Sequence, residues 1–237
     1  MRIAALQCAA IPDDVARVCA TVRDRIGRAD AAGVDLLLFP EAWLTGHAWD
    51  AATIARRADV AEAAIDALCG AVAGARATLV IGAFVREAGR VFNRALVIAG
   101  GRVVGHYDKA HPNEPGVAAG DAFPTFTAGG VRFGINICAD ANHPGAAQRV
   151  ADQGAAAILY PLSNMLPLAT AERWRARSVD NLVARARQTG CWVAAADVTG
   201  TAGDLRSFGC TAIVAPDGAV VARVPEGEGG VACRSIR

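Results

Sequence analysis

The sequence has 237 residues, 53% hydrophobic and 20% charged, with 24 basic and 23 acidic side chains and a net charge of +1. That composition describes a globular chain, not a disordered one, long enough to bury roughly 70–75% of its unfolded surface without disulfide or metal staples. No basic stripe points to a nucleic-acid partner, and no apolar run approaches the ~20 residues of a membrane span.

Residues 2–8 (RIAALQC) read as a first strand and not as a signal peptide, because acidic residues follow at once. Residues 13–32 carry Val15, Val18, Val22 and Ile26 at helical spacing, with Asp13 or Asp14 as N-cap and Gly33 as the stop. Residues 34–39 (VDLLLF) form a buried strand that ends at Pro40. An Ala-rich periodic stretch predicts one helix over 54–75, and a strand follows at 77–85. In RALVIAGGRVVGHYDK the pair Gly100-Gly101 marks a hairpin. A strand at 131–138, a helix near 144–153, a strand at 155–160, a long helix at 171–189 and a strand at 191–197 come next. The turn Pro216-Asp217-Gly218 closes a second hairpin. Strands alternating with helices indicate an α/β fold, and the hairpins indicate a mixed sheet. With no linker or repeat, residues 1–237 read as a single domain.

The seven cysteines are Cys8, Cys19, Cys69, Cys138, Cys191, Cys210 and Cys233. Their odd number and the lack of a CxxC pair suggest neither a disulfide framework nor a zinc site. They read as small buried hydrophobes in a reducing cytoplasm, with room for one nucleophile among them.

In α/β sheets ligands gather beyond the carboxyl ends of strands. Three such ends carry reactive groups: Glu41 in LLLFPEAWLTG, Lys109 in VVGHYDKAHP and Cys138 in FGINICADANHP. Taken singly, each has an ordinary reading, as a solvated loop acid, a surface cation and a packed thiol. Together they make a complete set of nucleophile, base and cation. A helix starting just after Cys138 would lower its pKa.

The three segments resemble the nitrilase superfamily of carbon–nitrogen hydrolases. The resemblance rests on Phe39-Pro40-Glu41, on Tyr107-Asp108-Lys109-Ala110-His111 and on Gly134-Ile135-Asn136-Ile137-Cys138-Ala139-Asp140, in that order. Ala184-Arg185-Ala186 and Phe208-Gly209 extend it to about residue 225. It implies a four-layer α-β-β-α sandwich, commonly paired into homodimers or larger homo-oligomers. It also implies that Cys138 attacks an amide or nitrile carbon with Glu41 as general base. Lys109 and the Ala139 N–H would hold the developing negative charge, and no metal or organic cofactor would be required. Losing one such donor costs about 2.7–4 kcal/mol of transition-state stabilisation.

The chain departs from that pattern at four points. Ala139 stands where a large residue is usual. His143-Pro144-Gly145 replaces an aromatic-Pro-Glu. The second glutamate of many members is either Glu114 or absent, with Asp121 as a substitute. The chain is also short, which implies trimmed substrate loops. Trp43 reads either as a pocket wall or as core, and Asn164 either as a donor to a substrate carbonyl or as a turn cap. A Cys–His hydrolase with His143 or His111 as base is a competing mechanism. An amidase for a small amide or N-carbamoyl compound is the leading function. A nitrilase and an inactive binding protein on the same fold are the alternatives.

Overall fold

A computed structural model describes residues 1–236. β1 (Arg2–Cys8) is buried from Ile3 to Gln7, and α1 (Val15–Ala31) starts after Asp14, whose carboxylate accepts the Arg17 N–H at 3.0 Å. β2 (Leu36–Leu38) follows, wholly buried. The expected single helix is two, α2 (Ala51–Asp59) and α3 (Ala61–Ala71), broken at Val60. The reason is packing. Ile54 and Ala58 of α2 bury against Phe84 and Val91, whereas Ala64 and Leu68 of α3 bury with the apolar face of α1. One straight rod would not reach both.

β3 (Thr78–Glu87), β4 (Arg90–Ala99) and β5 (Arg102–Asp108) form an antiparallel meander. Its second turn is the predicted Gly100-Gly101 pair, both residues at positive φ. The first turn, Ala88-Gly89, has the same backbone shape. β6 (Thr125–Ala128) and β7 (Val131–Ile135) pair through Gly129-Gly130. A short 3-10 turn over Cys138–Asn142 leads into α4 (Pro144–Asp152), then β8 (Ala157–Pro161) and the two-residue β9 (Leu166–Pro167). The long α5 (Leu168–Thr189) ends at Gly190 in the left-handed region and is followed by β10 (Trp192–Val198). β11 (Gly200–Ala202) and β12 (Leu205–Ser207) join β9 in a small separate sheet. β13 (Ala212–Val214) and β14 (Val220–Arg223) form the second predicted hairpin, and β15 (Gly230–Ser235) returns to pair with β1.

The main sheet has twelve strands in two halves. One runs β5-β4-β3-β2-β1-β15 and the other β6-β7-β8-β10-β13-β14. They meet where β1 and β10 pair over only two positions, Gln7 with Asp197 and Cys8 with Val198. Side chains alternate across each strand. Leu36, Leu38 and Val80 point inward to the core shared with Phe133, Ile135 and Leu159 of the other half. Leu37, Leu79 and Ile81 point outward to α1 and α3. In the other half, Gly134 lies under Val150 of α4, where a Cβ would come within 2.3 Å of its side chain. The result is the four-layer α-β-β-α sandwich with mixed sheets that the resemblance implied. Among the described residues, no helix is long and apolar enough to cross a membrane.

Candidate active site

β2, β5 and β7 all end toward one region, and the chain leaving each supplies a site residue. After β2, the Glu41 N–H donates to the Leu162 carbonyl beyond β8 at 3.1 Å, which fixes it across the two halves of the sheet. Ala42 then turns at φ 46°, and a Cβ on Gly82 of β3 would lie 2.5 Å from its nitrogen. Glycine there lets the Glu41 segment lie directly on the sheet. Cys138 itself has φ 43°, a left-handed conformation that costs a non-glycine residue of order 1 kcal/mol or more. Ala42 and Cys138 are thus two strained positions beside the same cluster.

Glu41, Lys109 and Glu114 are almost wholly buried and in contact. Lys109 Nζ donates to Glu41 Oε1 at 2.7 Å and to Glu114 Oε1 at 2.8 Å. Asn93, on β4, donates through Nδ2 to the same two oxygens at 2.8 Å each. His47 Nε2 sits 3.1 Å from Glu114 Oε1, and the Asn113 N–H donates to Glu114 Oε2 at 2.9 Å. Glu41 Oε2 is buried and, among the described residues, has no hydrogen-bond partner. The ammonium of Lys109 lies between carboxylates that, with His47, would otherwise suit a cation.

Burial works against the charge on Lys109, but Glu41, Cys138 and Glu114 outweigh it and hold the ammonium above the usual lysine value. For Glu114 too, burial opposes ionisation. The bond to His47 and the charge of Lys109 prevail and keep it well below the usual carboxylate range. At Cys138, burial is the largest influence and Glu41 adds to it. Lys109 only partly offsets them, so the thiol is held well above its ordinary value. The expected lowering by a helix N-terminus does not occur, because only a short 3-10 turn begins at Cys138 and burial, followed by the Glu41 carboxylate, dominates.

Asp140 ties the lysine and cysteine segments together. Its Oδ2 accepts Tyr107 Oη and the Ile137 N–H, both at 2.8 Å, and its Oδ1 accepts the His111 N–H at 2.9 Å. His111 Nδ1 also sits 2.8 Å from that oxygen, and its ring stacks on His143 at 3.7 Å. Neither histidine lines the cleft that holds Cys138. They border a separate cavity with Asp121, which is exposed, so the arrangement does not favour a Cys–His pair.

The cleft at Cys138 has a free volume of about 110 Å³. Ala139 and Asn164 line it as expected. Asn164 is held by Asp197, which accepts its backbone N–H at 3.0 Å and its Nδ2 at 2.8 Å. Burial pushes Asp197 up to about 6, against the pull of those two bonds. Trp43 does not reach the cleft. It packs on Phe39 at 4.9 Å in the outer core, and its Nε1 donates to the Ala9 carbonyl at 3.2 Å. The aromatic walls are Trp49 and Trp174 instead. Sequence reasoning also missed Asn93 and His47. Asn93 lies mid-strand with no motif around it, and His47 follows Glu41 closely but with no spacing that marks it.

The sequence model of the carbon-nitrogen hydrolase family matches residues 2–237. A hydrolase encoded in the pqqF 5′ region of Pseudomonas protegens is 30% identical over 94% of this chain and 78% of its own length. An (R)-stereoselective amidase from a Pseudomonas species is 31% identical over 60% of this chain and 53% of its own. Among solved structures, an amidase from a Nesterenkonia species superposes with a TM-score of 0.87 at 25% identity, over 98% of this chain and 89% of that one. A related structure of that amidase, at 24% identity, carries acrylamide added to its active-site cysteine. With the fold, the three motif segments and the family match in agreement, this chain belongs to the carbon-nitrogen hydrolase family, within the nitrilase superfamily.

Proposed function

We propose that the protein is an amidase that hydrolyses a small carboxamide through Cys138. The observation that carries this reading is the buried Glu41 Oε2, which has no partner among the described residues while Oε1 is held by Lys109 and Asn93. An unpartnered carboxylate oxygen on a residue close enough for its charge to act on the Cys138 thiol supplies a proton acceptor. The Cys138 sulfur attacks the amide carbon as its proton passes to Glu41. Lys109 and the Ala139 N–H stabilise the tetrahedral oxyanion. Collapse breaks the C–N bond, Glu41 returns the proton to the leaving nitrogen, and ammonia departs from a thioester. Water then attacks the thioester with Glu41 as base, releasing the carboxylic acid and the thiol. Glu114 and Asn93 act on Lys109 and Glu41 as positioning residues.

Two further observations support an amide over a nitrile. The (R)-stereoselective amidase is a sequence relative, and the Nesterenkonia amidase has been captured with butyramide. The test is ammonia release from short amides, N-carbamoyl compounds and nitriles by the wild type and by Cys138→Ala. Release from amides by the wild type alone is the expected result. Equal release by both proteins, or release from nitriles alone, overturns the reading. The family resemblance also supports assembly into a homodimer or larger homo-oligomer, which light scattering decides.

A further inference from the structure

The cleft that holds Cys138 is lined, besides that thiol, by apolar, hydroxyl and carboxamide side chains, and among the described residues none that lines it is charged. Trp49 and Trp174 form its aromatic walls, with Leu162 and Leu166 between polar groups. Trp49 is fixed through its Nε1, which donates to the Met165 carbonyl at 3.2 Å, and it meets His47 edge-on at 4.8 Å. Asn142 and Asn181 are bonded to each other, Nδ2 of Asn181 donating to Oδ1 of Asn142 at 2.7 Å. Two arginines of α5 near the cleft mouth point away from it. Arg175 is paired with Glu226 and lies over Phe208, and Arg177 is exposed and lies over the Trp174 ring.

Beside this cleft, the buried cluster carries two carboxylates, Glu41 and Glu114, on the single ammonium of Lys109. An anionic group entering the cleft would lose water, find no cation among the described residues lining it, and approach an ammonium already engaged by two carboxylates. An aliphatic group would instead exchange water for tryptophan and leucine surface.

Building on the amidase reading above, we infer that the substrate is an uncharged carboxamide with a short apolar substituent, and that the cleft rejects amides bearing a carboxylate, N-carbamoyl amino acids among them. Specificity in this account lies in the absence of a basic residue along α5 at Ser178 and Asn181.

Two amides test it. Butyramide and succinamate have the same length and differ by a methyl group against a carboxylate. The expected kcat/KM for butyramide exceeds that for succinamate by about 100-fold or more, since a buried charge without a partner is strongly disfavoured. Asn181→Arg, and separately Ser178→Arg on the same helix face, should narrow that ratio by about tenfold or more. Comparable rates on the two amides, or a ratio unmoved in both arginine variants, overturn the inference. Alkylation separates its failure from that of the amidase reading, because labelling needs no turnover. Cys138 should favour iodoacetamide over iodoacetate by about tenfold more than the exposed Cys233 does. If neither amide is cleaved yet that preference holds, the amidase reading falls and the neutral cleft stands. If the preference is absent, the neutral cleft falls whatever the turnover.

Discussion

Lys109 is held between two carboxylates that would repel each other without it. Its Nζ lies 2.7 Å from Glu41 and 2.8 Å from Glu114, and all three side chains are shut away from water. Removing the cation leaves two buried acids facing each other, so one of them must take up a proton. Lys109→Ala is therefore expected to cost about 3–5 kcal/mol of stability, as breaking a buried pair does. It should also lower kcat by about 10²–10³, the usual loss of one oxyanion donor. Ammonia release and a denaturant titration measure both, and an unchanged kcat would show that Lys109 has no part in the reaction. At this scale the sequence was informative where a residue sat in a motif. Glu41, Lys109, Cys138 and Ala139 could all be located, and Glu114 was one of two candidates. Asn93 could not be found, because its role depends on β4 lying between the glutamate and lysine segments. Trp43 and Trp49 look alike in sequence. Only in the fold does one enter the outer core, just after the turn at Ala42, and the other the cleft.

The segments that carry the site are held together by a few side chains rather than by sheet bonds. Asp140 joins the loop after β5 to the 3-10 turn at Cys138 through Tyr107, His111 and Ile137. Asp140→Ala removes the partner of four polar groups, two of them backbone N–H groups, and should destabilise the fold by about 3 kcal/mol. Asp140→Asn keeps one acceptor oxygen and should cost less. Urea midpoints of the two variants check the order, and equal midpoints would contradict it. Most elements could be read from the sequence, because alternating or helical patterns coincided with clear turn residues. The helix predicted over 54–75 failed because an alanine-rich pattern does not reveal that its two halves pack on different neighbours. The hairpin at Ala88-Gly89 was missed because Arg86 and Glu87 appeared to end a strand that in fact continues as an exposed ribbon.

The whole molecule is one long sheet folded on itself, and its seam lies beside the site. Asp197, paired in register with Gln7 at that seam, is wholly buried and pushed up to about 6 by the loss of water around it. Unfolded, its pKa would be about 3.9. Because the folded value is the higher one, its contribution to stability is full below about 4 and is lost as pH rises through about 6. Asp197→Asn, which has no proton to lose, should flatten the stability profile between those values. The same carboxylate holds Asn164 at the cleft, so an inflection near pH 6 is expected in the wild-type kcat/KM and should vanish in the variant. Profiles that coincide for the two proteins would contradict this. The seam itself was not legible, since two short pairings leave no periodicity to read. Nor was β15, a brief strand after a glycine-rich stretch whose partner β1 lies at the opposite end of the chain.

The claim on which the rest depends is that the sulfur of Cys138 becomes acylated. Peptide mass mapping of wild-type enzyme, acid-quenched during turnover of butyramide, tests it most directly. The expected result is a butyryl group on the peptide containing Cys138, absent from Cys138→Ala and lost once the substrate is consumed. Ammonia release with no adduct on Cys138, or an adduct on another residue, would contradict it.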